Sequence, residues 1–259
     1  MATQTQNPVI VQSRVISALV LRETRVAYGE ASFGYLWAIA EPVLGTFALV
    51  LIFSFISRVP PLGTSFALFF ATGIITFQLY RKLSSSLMKV FEVNKGLLAY
   101  PLVKDFDVVI ARYVLVTLTN VLVIIVFYGV LIAAGSAFFP DRLDQVMSAI
   151  FATSLLGLGA GLTNAIIYRL WPTWKTLEGV VSRPLLFLSG VFYIPTRFSS
   201  DIQYMLSWNP ILHCIEWVRT GYYPEYNSPV LDKSYLFMYI LILLAVSFAG
   251  ERLYRKKRV

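Results

Sequence analysis

Residues 28–57 read YGEASFGYLWAIAEPVLGTFALVLIFSFIS: an aromatic approach, then the carboxylate of Glu41 and the helix breaker Pro42, then fifteen residues without a charge. A charge at the centre of a membrane-spanning helix costs about 2.5–3.5 kcal/mol on insertion scales, and proline removes a backbone donor. Either the run is no span, or Glu41 and Pro42 stand at a depth where both are tolerated. Composition decides: 57% of the residues are hydrophobic and 14% charged, and the mean hydropathy is +0.68. That is more apolar surface than a soluble core can use, so the chain reads as an all-α integral membrane protein.

Working outward from this run, apolar stretches near the length that crosses ~30 Å of hydrocarbon fall at 37–57, 62–80, 108–134, 146–168, 177–194 and 234–250. Six spans are expected. Fifteen Lys and Arg fall on the side of the N-terminal segment and the RKKR tail, and five on the other. The positive-inside rule then puts both termini in the cytoplasm. Most of the formal charge of +8 is thereby topology, with the tail meeting anionic lipid and no nucleic acid as partner. The start MATQTQNPVIVQS lacks the basic, apolar and small-residue order of a signal peptide. One cysteine, Cys214, allows no internal disulfide, and the lone His213 forms no histidine cluster, so no metal site is expected and both read as packing residues.

Ahead of the first span, an interfacial helix is expected over 9–34. Within 11–27, Val15, Ile16, Leu19, Val20, Val26 and Ala27 share one arc, while Ser13, Arg14, Ser17 and Arg25 lie opposite; Glu23 intrudes on the apolar side. Glu41 and Pro42 then form the elbow where this flat helix turns upright: proline suits a first turn, and interfacial depth eases the carboxylate. Arg112 is expected at a comparable depth, within reach of Glu41.

Two further segments are not ordinary spans. SSSLMKVFEVNKGLLAYPLVK (84–104) carries Leu83, Leu87, Val90, Phe91 and Leu98 at near-helical spacing, which reads as a short cytoplasmic helix over 84–98 or else a solvated loop. Residues 195–230 are too apolar for a free loop. Asn209 as cap and Pro210 in the first turn start a helix that Gly221 can end, giving two short helices that re-enter the outer leaflet. An aromatic belt of Trp208, Trp217, Tyr222 and Tyr223 is the rival reading. GLGAG (157–161) places Gly157 and Gly161 on one small-residue face for helix packing. No G-x-x-x-x-G-K-[ST] occurs, so any ATP is handled by another polypeptide.

Four stretches together resemble one family: RETRVAYGEASFGYLWAIAEP (22–42), NKGLLAYPLVKDFDVVIAR (94–112), RPLLFLSGVFYIP (183–195) and NPILHCIEWVRTGYY (209–223). They resemble the permease subunits of ABC-2 type exporters of surface polysaccharides, closest to the capsular branch, with O-antigen and teichoic acid exporters as alternatives. With the six-span order, the resemblance makes 1–259 a single transmembrane domain. It implies a homodimer in the bacterial inner membrane, two cytoplasmic ATPase subunits holding the ATP and Mg, and a periplasmic export partner. The permease itself carries no cofactor and no catalytic residue. It further implies that 84–98 couples to the ATPase, through Leu87, Phe91, Glu92, Asn94, Lys95 and Leu98, and that 195–223 forms the outer re-entrant helices.

For the substrate path, aromatic rings suit sugar C–H faces, and the candidates are Tyr35, Trp37, Phe70, Phe77, Tyr80, Phe187, Phe192 and Tyr193, although for any one of them packing against lipid is the stronger reading. Arg183, about six residues into the fifth span, needs a partner; either a phosphate or an acidic sugar in transit, or Glu178, can supply it. An embedded enzyme is disfavoured because Glu41, Asp105, Asp107 and Glu178 are scattered along the chain. An ion-coupled secondary transporter is disfavoured because no pair of interrupted helices recurs in two halves.

Overall fold

A computed structural model describes residues 8–28, 32–56, 60–100 and 103–256. Among these residues every regular element is helical: α1 (Pro8–Tyr28), α2 (Ser32–Ile56), α3 (Phe66–Met88), α4 (Val90–Val93), α5 (Asp105–Ala133), α6 (Leu143–Leu170), α7 (Trp174–Leu188), α8 (Ser200–Ser207), α9 (Pro210–Tyr222) and α10 (Lys233–Lys256). Each of the six apolar intervals holds a helix. Three segments, Asp105–Ala133, Leu143–Leu170 and Lys233–Leu253, are long and apolar enough to cross a membrane, and Ile39–Phe53 is a shorter apolar stretch. Leu118, Ile125 and Val126 on α5 and Met238, Leu241, Ile242 and Val246 on α10 are exposed. A continuous apolar exterior of this kind needs lipid or another subunit against it.

The hub is α3, which packs against α2, α5, α6 and α9. Ser65 caps it by accepting from the Leu68 amide at 3.3 Å, and Leu68, Phe69, Phe70, Phe77, Leu79 and Leu83 are buried along it. Helix α6 comes close because Gly157 and Gly161 remove side chains where they would collide. A Cβ at either would stand 2.7 Å from the Cβ of Leu83 or Leu87. The small-residue face is thus used inside the chain, α6 on α3. Gly159, on another side of α6, gives α10 the same access at Leu243.

One end of the bundle collects α1, α4, the start of α5 and the end of α6. Helix α1 docks on α5, with Leu19 buried beside Val15 and Val20 in a cluster shared with Leu83, Leu87, Val108 and Leu162. The side chains of Val26 and Ala27 lie outside the described residues. Glu23, the intruder on the apolar arc, is 3% exposed because its carboxylate pairs with Arg112 at 2.9 Å. This corrects the expected pairing of Arg112 with Glu41: α1 packs along α5 and brings Glu23 to Arg112. Gln12 of α1 also donates to Asp107, whose other oxygen accepts from the Lys104 amide at 3.0 Å and closes the first turn of α5.

At the opposite end, a hairpin of α8 and α9 closes over the bundle. Asn209 accepts from the Ile211 amide at 3.0 Å with Pro210 in the first turn, as its position predicts. Helix α9 runs one residue past Gly221, so this glycine serves approach rather than termination. A Cβ there would meet Val146 at 2.7 Å, and the Gly221 carbonyl accepts from the Arg142 amide at 2.9 Å. Trp217, Tyr222 and Tyr223 are buried, leaving Trp208 of the suggested aromatic belt exposed.

Candidate functional site

The segment expected as one helix over 84–98 is built differently. Residues 84–88 continue α3, Lys89 breaks the helix, Val90–Val93 adds one turn, and a 3-10 turn follows at Leu97–Ala99. The break turns the apolar side inward. Leu87 and Phe91, expected to face a partner, are 0% and 7% exposed and join the cluster beneath α1. Arg169, at the end of α6, lies over the Phe91 ring at 3.4 Å and pairs with Asp105 at 3.4 Å. A desolvated guanidinium over a ring contributes about 2 kcal/mol, so Phe91 holds this segment to its own bundle.

Exposure at this end falls on Glu92, Val93, Lys95, Ala99 and Tyr100. Glu92 accepts from the Tyr168 hydroxyl at 2.9 Å. Asn94 is buried at 1% and works as a joint: its amide donates to Glu23 at 2.9 Å, and its oxygen accepts from Arg22 at 3.1 Å. Leu98 is half-buried. Between these turns and the end of α6 lies a cavity of about 620 Å³, lined by Glu92, Lys95 and Leu98 and by Tyr168 and Arg169. The structure thus brings four of the six expected coupling residues, Phe91, Glu92, Lys95 and Leu98, around one depression; Leu87 is buried in the cluster beneath α1, and Asn94 ties the segment to α1.

The path candidates divide. Phe70 and Phe77 are buried at 1% and 3%. Phe70 stacks on Phe53 at 5.0 Å and meets Phe192 at 5.4 Å, while Phe192 stacks on Phe187 at 5.2 Å. The Tyr193 hydroxyl donates to the Leu188 carbonyl at 3.1 Å, and Tyr80 is half-buried. Trp37 and Phe187 are exposed; the side chain of Tyr35 lies outside the described residues. Arg183 is exposed on α7 and makes no ion pair among the described residues; Glu178 accepts instead from Ser182 at 2.7 Å. Most of α7 presents an open apolar side, with Val180, Val181, Phe187 and Leu188 exposed.

Sequence reasoning missed Arg219, which it counted as an outer-side charge. Arg219 and Glu216 are both 0% exposed and pair at 3.1 Å across one turn of α9. The guanidinium also donates to the carbonyls of Tyr193 at 2.9 Å and Val191 at 3.3 Å, and lies 4.2 Å from the Phe69 ring centre. Glu216 accepts from Tyr226 at 2.5 Å and Ser228 at 2.6 Å. One ion pair therefore fixes the bend after α7, helix α9 and the following loop. Gly190 permits that bend with φ +77°, and a Cβ there would strike Leu212 at 2.5 Å. The available signal was the acid and base three residues apart inside the apolar run ILHCIEWVRTGYY.

The sequence is similar to known transport proteins along almost the whole chain. Residues 14–223 match the ABC-2 type transporter family. The polysialic acid transport protein KpsM of Escherichia coli is 33% identical over 247 residues, 95% of either chain. The capsule polysaccharide export inner-membrane protein CtrC of Neisseria meningitidis is 27% identical over 92% of this chain and 90% of its own. BexB of Haemophilus influenzae, a protein of the same description, is 27% identical over 83% and 81%. With a family match over most of its length and a relative aligned nearly end to end, the chain belongs to the ABC-2 type transporter family.

Proposed function

We propose that this chain is the permease subunit of an ATP-driven exporter that moves capsular polysaccharide across the bacterial inner membrane. The observation that carries the reading is the end-to-end alignment with a polysialic acid transport protein, joined by two capsule export inner-membrane proteins. Six spans, cytoplasmic termini and a re-entrant outer hairpin of α8 and α9 complete the reading. They are supported by the charge count and by the gathering of α1, α4 and the start of α5 at one end. The chain acts as a transporter component, and ATP and Mg belong to a separate ATPase that docks on the depression between the turns at 90–99 and the end of α6. Two copies pair through the open apolar side of α7, where Arg183 offers a cation to an acidic, lipid-terminated polymer. A periplasmic partner receives that polymer beyond the hairpin.

The test is deletion in the source organism followed by location of the polymer. Intracellular accumulation of acidic, lipid-terminated glycan, reversed by the restored chain, is the expected result. O-antigen retained on its carrier would move the assignment to the related exporters, and an unchanged cell surface would refute export.

A further inference from the structure

The second expected span was placed at 62–80, yet α3 runs unbroken to Met88, which carries Arg81 and Lys82 two turns inside a helix packed on three sides. Both are half-buried and neither makes an ion pair among the described residues. A cation at such a position needs an anion or water, and by default it marks a functional site. Both line a cavity of about 730 Å³ between α2, α3 and α5. Ser85 and Ser86 continue the α3 wall, Thr119 and Asn120 stand on α5, and Glu41 stands at the α2 side with Gln78 behind it. The mouth lies at Glu41, Gly45 and Leu49, which are exposed.

We infer that this cavity binds a phosphodiester head group that carries free hydroxyls. The charges select the class. Two cations against one carboxylate leave a single positive charge, which matches the single negative charge of a phosphodiester. The donors of Arg81, Lys82 and Ser86 suit its oxygens, because charge-assisted hydrogen bonds are the strong ones, while the Ser85 hydroxyl is spent on the Lys82 carbonyl at 3.4 Å. Glu41 would repel phosphate but accepts well from hydroxyls, as does the Gln78 carbonyl, so the second part of the ligand is polyol or sugar. A zwitterionic choline head group lacks those hydroxyls. The elbow residue Glu41 thereby acquires a task beyond helix entry. The same chemistry has two sources, a resident bilayer phospholipid or the lipid terminus of the exported polymer, and the second source rests on the export reading above.

The full chain in phosphatidylcholine nanodiscs doped with phosphatidylglycerol tests this by quantifying the lipid that stays bound on mild delipidation. Wild type should keep phosphatidylglycerol in preference to phosphatidylcholine, and Arg81→Gln with Lys82→Gln should lower that retention about tenfold or more. Equal retention of the two lipids by wild type, or unchanged retention by the double variant, overturns the proposal. Should the double variant not insert, Ser86→Leu fills the cavity without altering charge; retention is expected to fall, and unchanged retention overturns the proposal equally. Capsule export in a deletion strain separates the sources. Retention lost together with export identifies the polymer terminus, and retention lost with export intact identifies a resident lipid. Wild type that retains phosphatidylglycerol but does not restore capsule would refute the export reading and leave the site standing.

Discussion

Arg219→Met tests how the α8–α9 end of the bundle is held. The variant keeps the apolar stem of the side chain but removes three hydrogen bonds, to Glu216, Tyr193 and Val191, and strands Glu216 at 0% exposure. In water-soluble proteins, breaking a buried pair costs about 3–5 kcal/mol because the remaining charge stays desolvated. Within a bilayer each hydrogen bond is worth only about 0.6 kcal/mol on average, since the unfolded chain also finds partners there. Three such bonds set a lower limit of about 2 kcal/mol. Tyr226 and Ser228 still donate to Glu216, which brings the upper limit down to about 4 kcal/mol. At about 2–4 °C per kcal/mol for a chain of this size, thermal unfolding in nanodiscs should fall by about 5–15 °C. Adding Glu216→Gln removes the stranded charge and should recover part of the loss, a coupling that a double-mutant cycle reads directly. A single variant within about 1 °C of wild type, or a double variant equal to the sum of the singles, would refute the clamp.

Phe91→Ala should destabilise the chain by about 3–5 kcal/mol, since the ring is core and carries Arg169; Glu92→Lys should leave unfolding within about 0.5 kcal/mol yet weaken co-purification of the ATPase. Normal ATPase binding in Glu92→Lys would move the contact elsewhere. Gly161→Val should cost about 1–3 kcal/mol by forcing α6 from Leu87, whereas Gly179→Ala, with open space around it, should be nearly neutral in the same melt. His213 lies outside the expected spans and accepts at Nδ1 from the Asp232 amide at 3.0 Å, so Nε2 carries the proton and donates to the Ser207 carbonyl at 2.7 Å. Burial lowers its pKa from the usual 6.5, so its contribution is present above pH 6.5 and fades as pH falls through that value toward the lowered one. Hydrogen exchange of α9 should rise below pH 6.5 in wild type, and His213→Asn should remove that pH dependence.

Local rules made the helices legible. Span length gave their intervals, and the Asn209–Pro210 start followed from capping alone. What escaped the sequence was side-chain direction. Leu87 and Phe91 have the spacing of an exposed anchor, but the break at Lys89 rotates them inward, and no property of residues 84–98 taken alone fixes that rotation. Glu23 looked like a flaw in an amphipathic arc because its partner Arg112 lies 89 positions away on α5. The same blindness hid Arg219, whose ligands are mainly backbone carbonyls at a glycine bend and leave no pattern in residue type.

These misplacements share a cause. In an apolar chain a charge is too costly to leave at random, so each buried one must be tied to something. Glu23 with Arg112, Asp105 with Arg169 and Glu216 with Arg219 are tied within the chain, and each joins elements distant in sequence or fixes a bend between them. Arg81, Lys82 and Arg183 make no ion pair among the described residues and lie on a cavity wall or an open helix side. Folding alone would leave cations at such apolar positions paired internally. Those that are not are the ones expected to meet something the chain does not contain, a lipid head group at α3 and an acidic polymer at α7.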